Sequence, residues 1–137
     1  MSNKQLGNKF EEDFAKYLSN NGYWTHLVAG AKHTSAQPCD IICIKNNETT
    51  LYDCKTLNNK GGIFPIERVE ENQRRAFKRL KECKNNKVNY FLSIIWNNNV
   101  YKISLEKINF EKDISIDLKQ FEPDLRGFYE NIGRLWD

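Results

Sequence analysis

The run Tyr90-Phe91-Leu92-Ser93-Ile94-Ile95-Trp96 constrains this chain more than any other stretch. It has a strand's length, and it is apolar at odd and even positions alike. Strand side chains alternate between the two faces of a sheet, so such a strand belongs inside a sheet that is covered. Asn97-Asn98-Asn99 then reads as a turn and Val100–Ser104 as its partner strand. A similar unit lies upstream. Ile41-Ile42-Cys43-Ile44 is an apolar strand entered through Asp40, Asn46-Asn47-Glu48 turns the chain, and residues 49 to 55 return, which predicts a hairpin.

Helical periods fill the gaps. Leu6, Phe10, Phe14, Tyr17 and Leu18 recur at spacings of three and four, which predicts a helix over residues 4 to 21, stopped by Asn20, Asn21 and Gly22. Residues 23 to 28 read as a strand and 29 to 38 as a polar loop. Residues 58 to 62 read as a flexible loop, and Pro65 as the entry to a helix over 67 to 84. Val69, Ala76, Phe77, Leu80 and Cys83 form the apolar side of that helix, and Asn85 and Asn86 stop it. The order helix, strand, hairpin, helix, hairpin predicts an α/β fold with a central mixed sheet flanked by helices. The length of 137 residues suits one domain. Its core is expected over about residues 4 to 108. Residues 109 to 137, with Phe121, Leu125, Phe128, Ile132, Leu135 and Trp136, are expected to cover the core or a dimer interface.

Composition removes several classes. No apolar run approaches the roughly 20 residues of a membrane helix, and the first residues lack the apolar centre of a signal peptide, so a cytoplasmic protein is expected. Cys39, Cys43, Cys54 and Cys83 form no C-x-x-C pair, and His26 and His33 complete no zinc pattern. Buried thiols rather than disulfides are expected. The net charge of +3 is uninformative, but from Lys60 to Lys87 nine Lys or Arg stand against four Glu. A basic segment of that kind suits either a polyanion or plain solvent.

The segment Tyr52-Asp53-Cys54-Lys55 carries the chemistry. Asp53 and Lys55 project to one face of their strand. On an edge strand both would simply meet water. Asp40 weighs against that reading, because it starts the neighbouring strand and so approaches Asp53. Converging carboxylates repel unless a cation separates them. Mg²⁺ takes one or two carboxylates plus water and phosphate oxygens, and Mn²⁺ suits the same shell. Asp40, Asp53 and the backbone carbonyl of Cys54 would supply part of it. Lys55 would orient the attacking water and stabilise charge on phosphorus. Glu11, beside Phe10, would bind the metal or hold its water. Gln73 lies inside the apolar stripe of the second long helix, where a neutral amide would aim at the site.

An aspartate, a short hairpin, Asp-x-Lys and an upstream helical glutamate resemble the PD-(D/E)XK nuclease superfamily. Over residues 51 to 108, Tyr52-Asp53-Cys54-Lys55-Thr56, Phe64-Pro65-Ile66, Gln73 and the two following strands resemble RecU-type Holliday-junction resolvases. Gly7-x-x-Phe10-Glu11 is similar to the start of that group and of the archaeal resolvases. The chain is short, as in a phage or mobile-element version. The resemblance implies a restriction-endonuclease-like core and a homodimeric, Mg²⁺-dependent endonuclease that nicks four-way DNA junctions. It implies Glu11, Asp40, Asp53 and Lys55 as the catalytic set, and Gln73 as the helical glutamine. Asp53 departs from the glutamate usual in the RecU type, and the tight hairpin leaves no room for that type's projecting stalk. Two other readings therefore stand beside it. One is a restriction-like or phage nuclease without junction selectivity, and the other is a catalytically inactive DNA-binding accessory protein. Lys32, His33, Lys60, Arg68, Arg75, Lys78 and Arg79 are expected to touch DNA phosphates, which fix position rather than sequence.

Overall fold

The computed structural model describes residues 2–28, 37–83 and 87–136. Helix α1 (Asn3–Asn20) opens on a reciprocal cap: Gln5 N–H donates to Ser2 Oγ (3.2 Å), and Ser2 N–H to Gln5 Oε1 (2.8 Å). Strand β1 (Trp24–Leu27) follows, then the hairpin β2 (Ile41–Lys45) and β3 (Glu48–Thr56). A short strand β4 (Ile63–Pro65) precedes α2 (Glu71–Glu82). The second hairpin is β5 (Val88–Trp96) and β6 (Asn99–Ser104). Strand β7 (Ser115–Asp117) and helix α3 (Phe128–Trp136) complete the described chain.

The main sheet has the order β1-β2-β3-β5-β6. Only β3 and β5 run parallel, so the sheet is mixed and the Asp53 strand is its centre. Both hairpins turn on asparagine pairs with positive φ: Asn46 and Asn47 at 53° and 65°, Asn97 and Asn98 at 49° and 63°. That geometry is the type I′ turn, whose twist matches the strands it joins.

The predicted burial of Tyr90–Trp96 on both faces is what the sheet shows. On one face Phe10, Phe14 and Leu18 of α1 meet Ile41, Cys43, Tyr52 and Cys54. On the other, Leu92, Ile94, Tyr101 and Ile103 meet Phe64, Ile66 and Val69. The C-terminal segment contributes to both sides. Ile116 and Leu118 join the second cluster, with β7 paired to β4, while Phe128 and Ile132 of α3 join the first. The Phe128 ring meets Phe10 edge-on at 5.6 Å.

Three expectations are corrected. The helix predicted over 67 to 84 is two pieces: a 3₁₀ turn over Ile66–Arg68 and α2 from Glu71, with Val69 and Glu70 extended between them. The break lets Ile66 and Val69 both enter the core, at 3% and 1% exposure. Arg74 bridges it, donating from Nε to the Val69 carbonyl and from Nη2 to the Ile66 carbonyl, both at 2.9 Å. Second, Leu6 and Cys83, placed on apolar stripes by periodicity, are exposed. The other three cysteines are buried free thiols, as expected. Third, the loop over 58 to 62 is fastened rather than flexible. Trp96 Nε1 donates to the Asn59 carbonyl (2.8 Å), Gly62 N–H to Asn59 Oδ1 (2.8 Å), and Leu118 N–H to the Gly62 carbonyl (2.9 Å).

Candidate active site

β2 and β3 pair with Ile41 opposite Tyr52, so Asp40, one residue earlier, stands opposite Asp53. Backbone bonds extend the ladder that far: Asp40 N–H donates to the Tyr52 carbonyl, and Val28 N–H to the Asp40 carbonyl, both at 2.8 Å. Beyond Asp40 the ladder stops, and the Asp40 side chain takes over. Its Oδ2 accepts the Cys54 N–H at 2.7 Å. A strand residue directs its N–H and C=O to the same edge. The Cys54 carbonyl therefore faces the same gap, on the side where β2 has already turned away.

Asp53 is the anomaly of the sheet. Its residue is 0% exposed, and among the described residues neither carboxylate oxygen has a well-formed hydrogen bond, Lys55 being the cation beside it. Lys55, two residues on and on the same face, brings its Nζ within 3.5 Å of Asp53 Oδ1. Burial drives the Asp53 pKa well above the ordinary carboxylate range; Lys55 opposes this and Asp40 reinforces it. The Asp40 pKa is raised too, chiefly by burial, against the pull of the Cys54 amide. Glu11 comes from α1 into the same field. Burial, aided by the Asp40 charge and countered by Lys55, pushes its carboxyl up to about 7. A buried carboxylate normally acquires donors, and a group of perturbed carboxylates around one lysine marks this place as the candidate site.

The fold thus brings Glu11, Asp40, Asp53, the Cys54 carbonyl and Lys55 together. Gln73 is buried, but its Oε1 accepts the Glu70 N–H at 3.0 Å, so its carbonyl caps α2. Glu70 itself lies close enough to raise the Asp40 pKa, a neighbour that periodicity did not single out. The sequence reading also missed a clamp on the segment leading into Asp40. The Tyr90 hydroxyl donates to the Pro38 carbonyl, and Asn72 Nδ2 to the Gln37 carbonyl at 2.6 Å. Tyr90 was legible only as a core aromatic, since its partner lies 52 residues away.

The predicted DNA contacts separate into distinct places. Lys32 and His33 lie outside the described residues. Lys60 is exposed on the fastened loop. Arg68 stacks over the Phe64 ring, 5.1 Å from its centroid. Arg75 pairs with Glu71 at 2.7 Å, both exposed. Lys78 lines a groove between α2 and residues 106 to 111, and Arg79 is exposed.

The residues present fit a hard divalent cation. Asp53 offers two carboxylate oxygens without a well-formed hydrogen bond, and Asp40, opposite it, commits one oxygen to the Cys54 amide and keeps the other. Among the described residues no three His, Cys, Asp or Glu side chains close into a cage. A Mg²⁺-type site needs none, since water and phosphate oxygens complete it. Zinc, which wants four closed ligands, is not suited by this set.

No family model matches the chain, and no curated protein matches it. Solved structures do. The chain resembles the 1.6 Å structure of Hjc from Archaeoglobus fulgidus, a Holliday junction resolvase from an archaeal hyperthermophile, with a TM-score of 0.59. The match covers 90% of this chain and 98% of that one, at 14% sequence identity. At that identity the likeness is one of fold: a restriction-endonuclease-like α/β core, with a five-strand mixed sheet flanked by helices. No helix among the described residues is long and apolar enough to cross a membrane.

Proposed function

We propose that this chain is a divalent-metal-dependent DNA endonuclease of the PD-(D/E)XK type that cuts branched DNA, four-way junctions foremost, as a cytoplasmic homodimer. The observation that carries the reading is Asp53, a fully buried carboxylate with no well-formed hydrogen bond, facing Asp40 and 3.5 Å from Lys55. The fold shared with a junction resolvase supports this reaction class. The two-fold symmetry of the junction suits a dimer.

Asp40, Asp53 and the Cys54 carbonyl would hold Mg²⁺ or Mn²⁺, with Glu11 at its water. The bound ion supplies an acidified water and a polarised phosphate. The chain's own residues do the rest. The Cys54 amide fixes the Asp40 carboxylate through Oδ2. The Lys55 ammonium orients the attacking water and offsets charge as it grows on the phosphate oxygens. Glu11, whose carboxyl burial pushes up to about 7 in the metal-free chain, would hold the attacking water beside the ion. Gln73 anchors the start of α2 by capping it through Oε1. Lys60, Arg68, Arg75, Lys78 and Arg79 contact phosphates, as do Lys32 and His33.

One observation favours a second reading. The β2–β3 turn is only the pair Asn46-Asn47, which leaves no stalk to enter a junction centre. A nuclease without junction selectivity fits that feature. The test is cleavage of a labelled four-way junction and a matched duplex, with Mg²⁺ or EDTA, by wild type and Lys55→Met. The proposal expects paired nicks in the junction that need metal, little cutting of duplex, and a loss of about 10²–10³-fold in Lys55→Met with DNA binding retained. Equal cutting of both substrates selects the second reading. Binding without cleavage in any metal refutes both and leaves an inactive DNA-binding protein.

A further inference from the structure

We infer that the cleft formed by Thr56, Leu57, Asn58, Asn59, Pro65 and Arg68 is a rigid seat for one DNA backbone phosphate next to the cut bond, with Arg68 as its cation. The inference rests on the nuclease reading and deepens it. It concerns how the substrate strand is registered against Lys55.

Position is the first argument. The cleft begins at Thr56, one residue past Lys55, where β3 leaves the sheet. A strand whose scissile phosphate lies at Lys55 would continue past this wall. The volume of about 390 Å³ falls in the lower part of the ligand-pocket range of roughly 300–1,000 Å³.

Charge is the second. No acidic residue lines the cleft. Arg68 pairs with no carboxylate among the described residues, and its guanidinium carbon lies over the Phe64 ring, 5.1 Å from the centroid. A cation seated on an aromatic face keeps its N–H donors for a ligand. A pre-ordered planar donor set loses less entropy on meeting a phosphate than a free lysine does. The larger groove between α2 and residues 106 to 111 differs in kind: Arg74, Lys78, Lys81 and Lys107 share it with Glu82, Glu106 and Glu111, and Lys81 lies 3.9 Å from Glu106.

Rigidity is the third. Asn59, in the cleft wall, is bonded through three atoms: its carbonyl by Trp96 Nε1, its Oδ1 by Gly62 N–H, and its Nδ2 to the Ile63 carbonyl at 3.1 Å. Leu57 N–H donates to the Ile95 carbonyl at 2.9 Å. Gly62 holds φ at +71° with the Trp96 indole against its α-carbon, where a Cβ would lie 2.7 Å from the ring. Lys119 Nζ donates to the Gly61 carbonyl. A loop of Asn, Lys and Gly ordinarily has little reason to be fixed. This one is fixed around an unpaired arginine, beside the reacting end of β3. Thr56 and Asn58 add neutral donors of the kind that meet phosphate oxygens.

The experiment is a salt titration of junction binding by the full chain in EDTA, with wild type, Arg68→Gln, Arg68→Lys and the control Arg126→Gln. Arg126 pairs with Glu122 at 2.7 Å on another surface. Arg68→Gln is expected to weaken binding about tenfold or more and to lower the slope of log K against log salt by about 1. Arg68→Lys should keep the slope and lose part of the affinity, and the control should match wild type. A single neutral methylphosphonate is then walked along the strand. One position should weaken wild type and leave Arg68→Gln unchanged. Equal affinity and slope in wild type and Arg68→Gln, or identical methylphosphonate profiles, overturns the seat. These readouts need no cleavage. Wild type that binds but never cuts with Mg²⁺ sinks the nuclease reading while the slope still decides the seat, and wild type that binds no DNA sinks both.

Discussion

Replacing Asp53 by asparagine should stabilise the metal-free protein, the opposite of what a polar change in a core usually does. The substitution is nearly isosteric, so it opens no cavity. What it removes is a charge at a residue with 0% exposure, without a well-formed hydrogen bond and facing the Asp40 carboxylate. An unsatisfied buried polar group costs about 1–3 kcal/mol, and more when charged. Against this stands the ion pair with Lys55 Nζ at 3.5 Å, itself nearly buried, whose loss is limited because Asp40 and Glu11 remain in the field of Lys55. A net gain of about 1 kcal/mol is expected, or roughly 3–5 °C in Tm for a chain of this size. The gain depends on pH in a defined direction. Because the folded pKa of Asp53 is raised, the folded state holds its proton longer than the unfolded chain does. Wild-type stability is therefore complete below the unfolded value of 3.8 and falls as pH rises toward the folded one. The variant escapes that fall, so its advantage is largest at pH 8. Divalent cation reverses the order. At a hundredfold excess over Kd, Mg²⁺ adds about 2.7 kcal/mol to wild type, and it should add little to Asp53→Asn. The assay is thermal unfolding of both proteins in EDTA and in Mg²⁺ at pH 5 and pH 8. A lower Tm for Asp53→Asn in EDTA at pH 8 would refute the reasoning, because it would mean that Asp53 has a stabilising partner in the folded state.

Two further outcomes test other parts of the structure. The Glu11 carboxyl is raised from 4.5 to about 7, so metal-free wild type should lose stability as pH rises through that window, and Glu11→Gln should flatten the loss in a Tm-against-pH series. Phe128→Ala, at a ring 1% exposed against Phe10 and Phe14, should cost about 3–5 kcal/mol in urea unfolding; a cost below about 1 kcal/mol would detach α3 from the core.

Much of the site was legible because its signals are local. Strand alternation alone places Asp53 and Lys55 on one face, and the Asn46-Asn47 turn fixes the register that sets Asp40 opposite Asp53. The aromatic stripe of α1 likewise placed Glu11 on the flank of a buried face. The break at Val69 was not legible, because the periodicity of residues 67 to 84 is helical throughout and the Arg74 bridge that favours the break is a tertiary contact. Nor was the fixed loop over 58 to 62, whose composition reads as mobile until Trp96 arrives from 37 residues away.

The sequence by itself determined the alternation of strands and helices, the two hairpins, and the presence of a charged Asp-x-Lys face on a strand. Each depends on side-chain period or turn chemistry within a few residues. Whether that face met water or the interior lay beyond its reach, since an edge strand carries the same residues. The parallel pairing of β3 with β5, with Asp53 beside Leu92, decided it. That pairing joins segments about forty residues apart and puts β3 in the middle of the sheet. Burial there turns an ordinary carboxylate into one whose charge is costly to hold.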